Sequence, residues 1–213
     1  MGRVDGKCAL VTGAGSGLGR SFAHLLAAEG ARVAVTDIDT ASAQETVDAI
    51  AAEHPGKARA WTLDVTDEAA WQAVLAEVEK DFGGLDILIN NAGIPGRGTV
   101  EDIDLETWRR VHGVDLDGVF LGCKYAIPVM ARAGGGSIVN ISSIAGIVAA
   151  ANLAAYNSAK AAVRHFSKSV ALHCAREGYA IRCNSVHPTF IRTPILEEYF
   201  ERFGEEEAIA KLA

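Results

Sequence analysis

Tyr156 and Lys160 lie four positions apart in a segment of helical periodicity, and Ser143 lies thirteen positions upstream on a strand-like run. On a helix, side chains at i and i+4 share a face about 5 to 6 Å apart, so a phenol and an ammonium so placed act on one another. A free phenol has a pKa of about 10 and is on the order of one part in a thousand ionised at pH 7; a nearby cation is one means of lowering that value. The pair therefore has the makings of a tyrosine general base.

A second constellation is the turn Thr12-Gly13-Ala14-Gly15-Ser16-Gly17-Leu18-Gly19. Its glycines allow a tight turn and let backbone N–H groups approach a pyrophosphate at the positive end of the following helix. Such a motif is informative only after a strand and before a helix, and both flank it here. Asp37 stands 18 residues beyond Gly19 at the end of the second strand-like run, placed to accept hydrogen bonds from an adenosine ribose. Its carboxylate would repel a 2′-phosphate, and neither Ser16 nor Ile38 supplies a cation to offset it. NAD is expected over NADP.

The elements that must position these residues follow from the alternation of short apolar runs with longer helical patterns. Strands are expected at Lys7–Thr12, Arg32–Thr36, Ala58–Leu63, Leu85–Ile89, Ser137–Ser142 and Ile181–His187. Between the first two, Leu18, Phe22, Leu25 and Leu26 define one apolar helix face. Strand and helix in strict alternation imply right-handed βαβ units: an α/β, Rossmann-like, doubly wound parallel sheet of six strands with helices on both faces. Its 213 residues are expected to form one dinucleotide-binding domain.

Composition excludes several classes. Hydrophobic residues make up 49% and charged residues 22%, and 20 basic against 27 acidic residues leave no basic stripe for nucleic acid. Cys8, Cys123, Cys174 and Cys183 are far apart and sit in apolar segments, as packing thiols do. No apolar run approaches the roughly 18 residues of a membrane span, and no signal-like stretch opens the chain. A soluble, cytoplasmic protein without membrane association is expected. The six histidines lack metal-ligand spacing, and no metal is expected.

Together these features resemble the short-chain dehydrogenase/reductase family. The chain carries the family's Thr-Gly-x-x-x-Gly-x-Gly turn at Thr12 to Gly19, Asn-Asn-Ala-Gly at Asn90 to Gly93, the serine at Ser143, and Tyr-x-x-x-Lys at Tyr156 and Lys160, in register over nearly its whole length. The stretch Gly178 to Pro188 is similar to that of NAD-linked bacterial hydroxysteroid and cyclic-alcohol dehydrogenases. The resemblance implies hydride transfer between NAD and an apolar secondary alcohol or ketone. Tyr156 would exchange the hydroxyl proton, Lys160 would orient the nicotinamide ribose, and Ser143 would hold the substrate oxygen. Strand alternation sends the neighbouring Ser142 to the opposite face.

By the same resemblance, Gly13, Gly15, Ser16, Gly17, Leu18 and Gly19 would line the pyrophosphate turn, with Asp37 and Ile38 beside the adenosine ribose. Asp64 and Val65 would flank the adenine, Asn91, Ala92 and Gly93 the adjoining ribose, and Pro188, Ile191 and Thr193 the carboxamide. Apolar residues from Ile144 to Ala155 would line the substrate pocket, under a lid formed by 189–213. The small and apolar residues of the helix from Tyr156 to Arg176 suggest a homodimer or homotetramer.

Taken singly, each of these residues has a plainer explanation: strand-end caps for the serines, a solvated helix pair for Tyr156 and Lys160. Three departures from the family pattern stand out. Asp115 replaces the asparagine that is the fourth member of the catalytic group: if that residue serves through its main-chain carbonyl, aspartate is a tolerated near-isostere, whereas if charge matters a carboxylate near Lys160 would weaken its pull on Tyr156 and move the activity optimum to higher pH. Thr189 replaces a glycine, at a cost if the backbone there is unusual. The family usually adds a further helix and a seventh strand, so the native chain is expected to continue beyond Ala213. The competing readings are an NADPH-dependent 3-oxoacyl thioester reductase and a non-catalytic dinucleotide-binding regulator.

Overall fold

The computed structural model describes residues 2–193, 200–201, 204 and 206–207. Six strands, β1 (Cys8–Thr12), β2 (Arg32–Asp37), β3 (Ala58–Thr62), β4 (Ile87–Asn90), β5 (Gly136–Ile141) and β6 (Ile181–Val186), form one parallel sheet in the order β3-β2-β1-β4-β5-β6. Each expected strand is present, with ends displaced by a residue or two. The order reverses between β1 and β4, and the carboxyl ends of those two strands are where open α/β sheets form a ligand-binding crevice. Cys8-Ala9-Leu10-Val11-Thr12 is buried throughout, as a central strand covered on both faces must be.

Strand alternation divides the core. Leu10, Leu88 and Ile138 face α3 (Glu68–Phe82), α5 (Gly118–Arg132) and α6 (Ala154–Arg176), while Val11, Val33, Val35 and Ile89 face α1 (Gly17–Ala28) and α2 (Thr40–Glu53). A short helix α4 (Leu105–His112) runs through a π-helical turn, Gly113–Asp117, into α5. Asp39, Asp67 and Asp104 cap α2, α3 and α4 by accepting first-turn N–H groups.

The buried face of α1 differs from the sequence expectation. It consists of Gly19, Ala23 and Ala27, whereas Leu18, Phe22 and Leu26 are half-buried and Leu25 is 64% exposed. The reason is proximity: a Cβ on Gly19 would fall 2.1 Å from the Gly13 carbonyl oxygen, so only small residues fit where α1 meets the turn after β1. Most of the expected lid, 189–213, lies outside the described residues. No helix among the described residues is long and apolar enough to cross a membrane.

Candidate active site

Two groups of side chains stand at the carboxyl edge of the sheet, one on each side of the crevice. On the β1–β2 side, Gly13 and Gly17 take left-handed φ values of 60° and 52°, the conformation that favours glycine. Ser16, at the N-cap of α1, makes no side-chain cap, and the first turn of α1 carries no acid. Its N–H groups are thus directed at an anion position. Asp37 accepts from Gly15 N–H through Oδ2 at 2.9 Å and from Asp39 N–H through Oδ1 at 3.0 Å. A carboxylate has about four acceptor positions, so each oxygen keeps capacity for one more donor, such as the hydroxyls of a ribose.

Neighbouring groups brace this turn, Thr12, Asn91 and Ala92 among those the sequence had marked and Arg20 and Thr46 among those it had not. The buried Thr12 hydroxyl accepts from both Asn91 N–H (2.9 Å) and Ala92 N–H (3.0 Å), and the Asn91 amide donates to the carbonyls of Thr12 (2.9 Å) and Gly13 (3.2 Å). Arg20 donates to the Gly15 carbonyl and to Thr46, whose hydroxyl lies 2.9 Å from the Ala14 carbonyl. Thr12 opens the glycine motif; no local signal marks Thr46. Ile38 is 67% exposed beside Asp37. Asp64 serves its own turn by accepting from the N–H and hydroxyl of Thr66, and Val65 is buried with its carbonyl accepting from the Trp71 indole.

On the β4–β6 side, Lys160 is buried on α6. Its Nζ donates to the Ile141 carbonyl at 3.1 Å and lies 3.1 Å from Asp115 Oδ2 and 5.5 Å from the Tyr156 ring centroid. Asp115 is fully buried; its Oδ1 accepts from Ile94 N–H at 2.9 Å. The π-helical turn carries it there. Burial pushes the Asp115 carboxyl up from its ordinary value, and the Lys160 ammonium and the Ile94 N–H pull against that rise. A Cβ on Gly93 would stand 3.2 Å from Asp115 Oδ2 and 3.3 Å from Lys160 Nζ, so this pair lies directly under the Asn91–Gly93 loop.

The two adjacent serines part as alternation requires. Ser142 is buried and donates to the Lys160 carbonyl at 2.7 Å, a helix-anchoring role the sequence did not disclose. Ser143 is half-buried, and its hydroxyl oxygen accepts from Ala145 N–H at 3.1 Å, which leaves its own O–H free to donate. The turn Ile144–Gly146 packs on α6 so closely that a Cβ on Gly146 would meet the Lys160 carbonyl at 2.7 Å. After β6, the Pro188 carbonyl accepts from Ile144 N–H at 2.9 Å, and His187 Nδ1 lies 3.2 Å from the Ser143 carbonyl. Thr189 is accommodated without strain, because no described non-glycine residue has a positive φ. Ile191 is exposed and Thr193 half-buried. Among the described residues no three His, Cys, Asp or Glu side chains gather as for a metal ion.

Comparison with known proteins gives this geometry its context. The profile of the short chain dehydrogenase family matches residues 7–203. A trans-4-hydroxycyclohexanecarboxylate dehydrogenase of Sinomonas cyclohexanicum is 45% identical over 208 residues, covering 95% of this chain and 79% of its own. A 3-alpha-(or 20-beta)-hydroxysteroid dehydrogenase of Mycobacterium bovis is 44% identical over 196 residues, covering 92% and 73%. The crystal structure of a short-chain type dehydrogenase/reductase from Mycobacterium marinum superposes with a TM-score of 0.89 at 34% identity, over 94% of this chain and 79% of that one.

Proposed function

The chain belongs to the short-chain dehydrogenase/reductase family, and from that premise we propose that it is an NAD-dependent oxidoreductase acting on an apolar secondary alcohol or ketone, cyclic or steroidal, with Tyr156 as general acid and base. The observation that carries this reading is the buried Lys160 ammonium, fixed beside the Tyr156 ring at the carboxyl ends of β4 and β5. When bound, the nicotinamide supplies the acceptor or donor of the hydride.

The chain's own residues supply the rest. In the oxidative direction the Tyr156 phenolate takes the hydroxyl proton, and the Lys160 charge favours that phenolate. The Ser143 O–H donates to the substrate oxygen and stabilises the charge that develops there. On the other side of the crevice the turn Gly13, Gly15, Ser16, Gly17, Leu18 and Gly19 would line the pyrophosphate, received by the N–H groups that open α1. Asp37, flanked by Ile38, accepts from the adenosine ribose and repels a 2′-phosphate, which supports NAD over NADP. The reading assigns Asp64 and Val65 to the adenine, Asn91, Ala92 and Gly93 to the adjoining ribose, and Pro188, Ile191 and Thr193 to the carboxamide. The names of the two relatives support a cyclic substrate. Four free, buried cysteines support a cytoplasmic setting. The edge-on ring pair Phe120–Phe166, with Phe120 44% exposed, supports a homo-oligomer built on α5 and α6.

The test is turnover of NAD⁺ and NADP⁺ with a panel of cyclic alcohols and hydroxysteroids, beside a Tyr156→Phe control. NADH formation that disappears in the control is expected. Preferential NADPH-dependent reduction of a 3-oxoacyl thioester would favour the reductase. Tight dinucleotide binding without turnover of any substrate would favour the regulator.

A further inference from the structure

Seven ion pairs join described residues, and only Asp115–Lys160 is enclosed, with side-chain exposures of 0% and 4%; the others have at least one partner open to solvent. Both Asp115 oxygens face donors: Oδ1 the Ile94 N–H, Oδ2 the Lys160 ammonium. Oδ2 and Nζ are 3.1 Å apart, so one proton shared between carboxyl and amine leaves the pair neutral on whichever atom it rests. The pair then has zero net charge. Its titratable surroundings are Tyr156, one turn back on α6, and His112 at the end of α4, whose ring is bound to Trp108 O and Ser158 Oγ.

The pair sits beneath Gly93, in the same loop whose Asn91 grips the glycine turn. With its pyrophosphate on α1 and its nicotinamide ribose oriented by Lys160, as the family resemblance implies, a bound dinucleotide would have this pair beside its nicotinamide end. The oxidised nicotinamide is cationic and the reduced one neutral. A lone ammonium under the loop would discriminate against the oxidised form, and an ammonium already neutralised would not.

On the basis of the NAD reading above, we propose that Asp115 is a positioning residue that offsets the Lys160 charge beside the nicotinamide, so that the site does not discriminate strongly against the oxidised dinucleotide.

The test is the pair of dissociation constants for NAD⁺ and NADH, measured by titration without substrate on the wild-type protein and on Asp115→Asn and Asp115→Ser. The ratio Kd(NAD⁺)/Kd(NADH) is expected to rise roughly tenfold in both variants, mainly through weaker NAD⁺ binding, the scale of one unit charge several ångströms away in a partly screened site. A ratio unchanged within twofold in a variant that melts like the wild type overturns the proposal. Should neither variant fold, the wild type decides: NAD⁺ binding within tenfold of NADH upholds it, and a stronger NADH preference overturns it. Failure of the wild type to bind either dinucleotide overturns the NAD reading itself, and this proposal with it.

Discussion

The two sides of the crevice are built on different physics. Around the glycine turn the only buried polar side chains among the described residues are the hydroxyls of Thr12, Thr36 and Thr46, and shape is set by backbone contacts so close that a Cβ has no room at Gly19. In the β4–β6 half the protein buries two amides, Asn90 and Asn140, hydrogen-bonded to each other at 2.8 Å, the hydroxyls of Ser142 and Ser167, and the Asp115–Lys160 ion pair. Steric fit and uncapped N–H groups suffice to receive an anion that brings its own charge. Moving a proton requires charge fixed in a dry setting, where electrostatic interactions are strong and desolvation is costly.

That contrast can be broken in graded steps. Tyr156→Phe should lower kcat about a thousandfold while leaving the Kd for NAD⁺ within a few-fold, read by steady-state kinetics and binding titration. Comparable losses in both would mean the two sides are not separable. Thr12→Val strips the acceptor from the N–H groups of Asn91 and Ala92 and should cost about 1–3 kcal/mol in urea-induced unfolding. Unchanged stability would show that the threonine hydroxyls are incidental to the glycine side. Asp37→Asn keeps the side chain's shape and removes its charge; the preference for NAD⁺ over NADP⁺ in kcat/KM should fall about tenfold, and a preference that holds would locate cofactor choice elsewhere.

The smallest effect expected is on the pH–rate profile of Asp115→Asn. Without the carboxylate, the Lys160 charge acts undiminished on the phenol, so the acid limb of alcohol oxidation should move to lower pH by up to about one unit. A limb that stays in place would mean that the Asp115 charge does not reach Tyr156.

The sheet was legible in the sequence because central strands such as Cys8–Thr12 are short apolar runs buried on both faces, while β3 and β6 at the edges show a mixed pattern bounded by turn residues. The face of α1 was not. Periodicity weighs side chains by hydrophobicity and pointed to Leu18, Phe22, Leu25 and Leu26, whereas the contact with β1 is governed by closeness and selects Gly19, Ala23 and Ala27. At the catalytic side, Tyr156 and Lys160 were readable from a local spacing of four. The Asp115 contact joins residues 45 positions apart through a helical irregularity that no residue pattern announces, so its proximity to Lys160 could be suspected only from family resemblance. The division of labour between Ser142 and Ser143 followed from strand alternation, but Ser142 as the anchor of the Lys160 carbonyl needed the fold.

The π-helical turn at Gly113–Asp117 has a consequence for how this protein can change. It holds one residue more than an α-helical turn, and each residue advances a helix by about 100°, so it acts as a phase shifter between α4 and α5. The face on which α4 carries Val111 and Trp108, packed by Ala155 and Ala159 of α6, and the face that α5 packs on the sheet therefore need not share one repeat. Deleting a single residue here would restore regular winding and rotate one of the two helices by about a quarter turn, swinging either Asp115 away from Lys160 or the apolar side of α5 away from the core.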